Sequence, residues 1–82
     1  MSAKGADDMN RDFERIVGNR IREWRENRGM TQEQLSAQLQ TNGCDMTRSA
    51  LAKIEVGQRH IYPDELRLFK QLLRVSYEDL LD

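Results

Sequence analysis

Arg48, Ser49, Ala52, Lys53 and Val56 fall on one side of the segment Thr47–Val56 when it is drawn at helical spacing. That side carries two cations, two small residues that permit close approach, and a single bulky hydrophobe, Val56. Thr47, Ala50, Leu51 and Ile54 fall on the other side and read as core. A guanidinium, a hydroxyl and an ammonium can all donate to the edges of bases. A merely solvated helix face would have the same composition, so the setting of the segment has to decide between the two.

The setting is a second short helix, entered in the same way. Thr31 can cap it, with Gln34 as its capping-box partner and Met30 and Leu35 as a hydrophobic staple. Thr47 caps the later segment, and Met46 and Leu51 repeat the staple. The expected helices are Gln32–Gln40 and Arg48–Val56, the latter ended by Gly57. Two short helices joined by a turn, the second presenting small and polar residues outward, form a DNA-reading arrangement. Small residues at Ser36 and Ala37 leave room for the second helix to cross the first. Gln40–Asp45, between them, has turn chemistry and no apolar anchor, so Cys44 is expected to be open to solvent.

Other elements support this pair. Residues 1–9 are polar and aperiodic and read as a disordered tail, leaving one domain over residues 10–82. Asn10 is the expected cap of a first helix whose apolar stripe is Phe13, Ile16, Val17, Ile21 and Trp24. Gly18 interrupts that stripe at a cost of about 1 kcal/mol relative to alanine, which points to close approach by another helix. Pro63 opens a fourth helix with the stripe Leu66, Phe69, Leu72 and Leu73. Ser76 caps a fifth, with Asp79 at the box position and Val75 and Leu80 as staple. The reading is all-α, five helices and no strand.

Composition narrows the function classes. The net charge of −1 argues against indiscriminate binding of nucleic acid, which usually goes with a strongly basic domain. The acidic excess, however, lies toward the ends of the chain, away from the central pair. One His and one Cys give no converging base and nucleophile. They are also too few for a zinc site, so no enzyme, metal, cofactor or small-molecule substrate is expected. The lone Cys44 suits a reducing cytoplasm, and no apolar run is long enough for a membrane span.

These pieces, in this order, resemble the Cro/C1-type (XRE-like) helix-turn-helix family of phage and bacterial repressors. The residues that carry the likeness are Ile16-Val17-Gly18, Gly29-Met30-Thr31-Gln32-Glu33-Gln34-Leu35, Leu51-Ala52-Lys53-Ile54-Glu55-Val56-Gly57 and Val75-Ser76 with Asp79-Leu80-Leu81. The resemblance implies a five-helix, lambda-repressor-like domain that binds double-stranded DNA as a homodimer and regulates transcription. It puts the base-reading positions at Arg48, Ser49 and Lys53 and the phosphate-clamping glutamine at Gln32. It also pairs Arg25 with Glu55 as a structural ion pair. Thr47, Arg59 and His60 are further phosphate candidates. Leu39 and Met46 stand farther apart than the tight turn usual in that family. The competing reading is a protein–protein interaction module, antitoxin- or antirepressor-like, built on the same fold, since a fold does not fix a function.

Overall fold

A computed structural model describes the backbone of residues 3–82 and the side chains of residues 12–82. The helices are α1 (Ala3–Asn27), α2 (Gln32–Thr41), α3 (Arg48–Glu55), α4 (Pro63–Leu73) and α5 (Tyr77–Leu81), with no strand among the described residues.

The starts of the helices follow their capping chemistry. Thr31 Oγ1 accepts from Gln34 N at 3.1 Å while Thr31 N donates to Gln34 Oε1 at 2.9 Å. Thr47 Oγ1 accepts from Ala50 N at 3.1 Å. Ser76 and Asp79 close a reciprocal box at 3.1 and 2.9 Å. Helix α4 begins at Pro63, and the Glu65 carboxylate accepts from Tyr62 N at 3.0 Å. The staple residues Leu35, Met46, Leu51, Val75 and Leu80 are all buried, and they join Val17, Ile21, Leu39, Ile54, Ile61, Phe69 and Leu73 in one core.

Helix α1 departs from expectation at its start. It begins at Ala3, so the stretch expected to be a tail is helical from there, and Asn10 lies inside the helix instead of capping it. No proline interrupts the segment, and Ala3, Lys4, Ala6 and Met9 are good helix formers. Met1 and Ser2 lie outside the described residues. The apolar stripe also divides. Val17 and Ile21 are fully buried and Trp24 half-buried, but Phe13 and Ile16 are 43% and 47% exposed.

Gly18 explains the crossing. A Cβ built there would lie 2.0 Å from the carbonyl oxygen of Ile54, so α1 and α3 touch backbone to backbone. Ser36 serves the crossing of α2 and α3. It is buried, and its Oγ donates to Met46 O at 2.8 Å. Ala37 stays exposed.

The connection between α2 and α3 is better anchored than its composition suggested. Gln40 Nε2 donates to Met46 O at 2.9 Å, and Cys44 N donates to Leu39 O at 2.9 Å. Cys44 is half-buried against the core, so its thiol is less open than expected. Burial pushes the thiol pKa up, and the nearby Glu65 carboxylate pushes the same way. Met46, buried as a staple residue, draws the loop down onto the core. The helix ends also move slightly: α2 runs on through Thr41, and Val56 is the C-cap of α3.

Candidate nucleic-acid interface

Helix α3 has a buried back and an open front. Leu51, Ile54 and Glu55 are buried, whereas Arg48, Ser49, Lys53 and Val56 are exposed and Ala52 is half-buried. The sequence-derived division matches burial for Leu51 and Ile54 behind and for Arg48, Ser49, Lys53 and Val56 in front, but Thr47, expected on the core side, is exposed and Ala50 is half-buried. The Arg48, Ser49 and Lys53 side chains engage no partner among the described residues. The front is narrow, polar and cationic, with room at Ser49 and Ala52 for close approach.

Behind the front lies a three-helix junction centred on Glu55. The carboxylate accepts from Arg25 Nε at 2.7 Å and from Arg25 Nη2 at 3.0 Å. It also accepts from Gln32 Nε2 at 3.0 Å. Arg25 spends its remaining terminal nitrogen on Met30 O at 2.7 Å, in the turn before α2. Arg25 and Glu55 are only 8% and 4% exposed, so the bidentate pair is desolvated, and the hydrogen bonds from its guanidinium to Glu55 raise the Arg25 pKa. The expected pairing is present. One carboxylate thus ties α1, the start of α2 and the end of α3 together. Removing one member of such a pair strands a buried charge, which typically costs about 3–5 kcal/mol.

The sequence reading missed the bond from Gln32 to Glu55. With one amide hydrogen committed inward to Glu55, Gln32 has its second amide hydrogen to offer a phosphate, beside the unpaired backbone N–H groups of the first turn of α2. Arg25, Met30, Thr31, Gln32, Glu33 and Arg48 line one cleft, which brings the starts of α2 and α3 together. Thr47 sits at the mouth of α3, exposed, with its hydroxyl accepting from Ala50 N.

Arg59 and His60 are placed differently. Arg59 forms a bidentate pair with Glu65 at 3.0 Å on both oxygens and donates to His60 O at 2.9 Å. Hydrogen bonding to Glu65 raises the Arg59 pKa. His60 Nδ1 lies 2.7 Å from Glu14 Oε2 on α1, with its ring edge-on to Tyr62. Both side chains thus hold the α3–α4 connection to its neighbours. An arginine six residues before a glutamate is compatible with such a pair but does not announce it.

Among the described residues no group of three or more His, Cys, Asp or Glu side chains is arranged to hold a metal ion. No described helix is long and apolar enough to cross a membrane.

No curated protein and no solved structure matches the chain. A family model described as a helix-turn-helix domain matches residues 18–82. Domains of that family are typically DNA-binding and non-enzymatic. The match starts at the glycine beneath the α1–α3 crossing and takes in α2 through α5, so the chain belongs to the helix-turn-helix family.

Proposed function

We propose that this chain is a sequence-specific transcriptional regulator that lays α3 in the major groove of double-stranded DNA and acts as a homodimer. The observation that carries the reading is the unengaged front of α3. Arg48, Ser49 and Lys53 are exposed and uncommitted, whereas the helix's back is buried and braced through Glu55. Arg48 is suited to a bidentate contact with guanine O6 and N7, Lys53 to a guanine acceptor, and Ser49 to more than one base. The first turn of α2 and the Thr47 hydroxyl supply phosphate contacts that fix the register. Arg59 and His60 are left out of this contact set because their partner carboxylates are largely buried: Arg59 is held on both oxygens of Glu65, 13% exposed, and His60 lies against Glu14, 17% exposed.

Selection from random duplexes, followed by fluorescence anisotropy on the selected and a scrambled duplex, tests the reading. Wild type should prefer the selected duplex. Arg48→Ala should lose about 1–3 kcal/mol on the selected duplex and much less on the scrambled one, with preference relaxed at one base pair. Equal losses on both would remove Arg48 from the base-reading set. If wild type shows no preference at low salt, the regulator reading gives way to a protein-binding role for the same fold.

A further inference from the structure

A groove beside α3 is lined by Arg15, Ile16, Asn19 and Arg22 of α1 together with Glu55 and Val56 of α3. Resting on the DNA-binding reading above, we propose that Arg15, Asn19 and Arg22 form a second phosphate-contact line, along which one DNA strand runs while α3 occupies the adjoining major groove.

Three observations support the placement. First, the groove is continuous with the front of α3, because Val56 belongs to both and is 57% exposed. Second, Arg15, Asn19 and Arg22 recur at four- and three-residue steps, so they form one stripe along the exposed side of α1. From Arg15 to Arg22 the stripe spans about 10 Å of helix, or roughly three nucleotide steps of rise. Third, the stripe is fixed relative to α3. A Cβ at Gly57 would lie 2.9 Å from Arg15 Cα, and one at Gly18 would lie closer still to Ile54 O, so α1 meets backbone both on α3 and at the turn just past its end.

The chemistry of the groove suits a sugar–phosphate strand. Ile16 and Val56 give an apolar floor for deoxyribose, two guanidiniums stand at the rim, and the Asn19 amide between them can donate. Each arginine is paired in the free protein, Arg15 with Asp12 and Arg22 with Glu26. All four side chains are more than half exposed. Exposed pairs of this kind hold weakly and yield to a phosphate. Asp12 and Glu26 therefore act as competitors that lower the affinity of the line.

The test is anisotropy with a labelled mixed-sequence duplex and with the selected duplex, across a salt series. It compares wild type, Arg15→Ala, Arg22→Ala, Arg22→Lys, Glu26→Gln and, as a control on α4, Arg67→Ala. Each arginine-to-alanine change should weaken binding roughly three- to tenfold on both duplexes alike and reduce the log–log salt slope by about 0.9. Arg22→Lys should retain most of the affinity. Glu26→Gln should tighten binding, an effect that a merely structural arginine would not produce. Thermal melts verify that the exposed substitutions leave the fold intact. Failure of wild type to bind either duplex defeats the DNA-binding reading itself. If wild type binds while Arg15→Ala and Arg22→Ala match Arg67→Ala in affinity and slope, the second line alone is overturned. Losses confined to the selected duplex also overturn it.

Discussion

The Arg59–Glu65 pair shows how a cationic side chain near an expected interface can be taken up by the fold. Burial alone would raise the Glu65 carboxyl, but hydrogen bonds from Arg59 and from Tyr62 N outweigh it, and the net shift is downward. A carboxyl whose folded pKa lies below its unfolded value contributes stability above the ordinary carboxylate range. It loses that contribution as pH falls through its folded value. Glu65→Gln should therefore lower the melting temperature by about 5 °C at neutral pH, the equivalent of roughly 1 kcal/mol in a domain this small. The gap should close in acid, where wild type carries the neutral carboxyl as well. Melts of both proteins across pH check this, and a gap that persists in acid would show that shape, not charge, is at stake. The sequence reveals which residues can donate to a phosphate but not which are already engaged. That Arg48 and Lys53 stand exposed was legible because their helix has a patterned back. Arg59 and His60 sit in a connection without periodicity, where nothing in the sequence names Glu65 or Glu14 as the partner.

Among the elements, capping and stapling residues located most helix starts because those signals are local. Thr31, Thr47, Pro63 and Ser76 each open the helix assigned to them. Asn10 failed because a good cap residue does not stop a helix whose preceding residues also favour helix. Cys44 is less exposed than expected because its loop was read by composition, whereas Met46 and the Leu39 carbonyl, on either side in sequence, draw it inward. Gly18 was legible as a close approach although its partner, Ile54, was not. The crossing it permits yields a sharp expectation. Alanine at position 18 would gain about 1 kcal/mol in helix propensity. Its Cβ would meet a backbone oxygen that cannot swing aside, and overpacking of this kind costs about 1–3 kcal/mol on top of the displaced α3. Gly18→Ala should therefore lower the melting temperature and also weaken the proposed DNA binding, because α3 carries the proposed reading face. A variant that melts higher than wild type would mean that α1 and α3 stand farther apart than this contact requires.

For the whole molecule, size limits what one copy can do. The domain measures 42 × 23 × 19 Å, with its long axis set by α1. A single small module covers about 600–1,000 Å² of its DNA interface, too little for tight and selective binding. Two copies related by a two-fold axis would place their α3 helices about 34 Å apart, one helical turn of DNA, in successive major grooves on the same face of the duplex. The proposed homodimer therefore predicts a dependence on spacing that no monomer would show. Affinity should be highest for paired half-sites about one turn apart. Inserting about five base pairs moves the second half-site to the opposite face of the duplex, and binding should fall to the level of a lone half-site. A loss of roughly a hundredfold is expected, since linked contacts commonly multiply affinity by that much or more. Anisotropy on three duplexes checks it: paired half-sites, half-sites offset by the insertion, and one half-site. If the lone half-site binds as tightly as the pair, the homodimer goes and α3 reads DNA from a single copy. If the offset pair binds as well as the in-phase pair, the two copies bind independently and no fixed two-fold axis joins them.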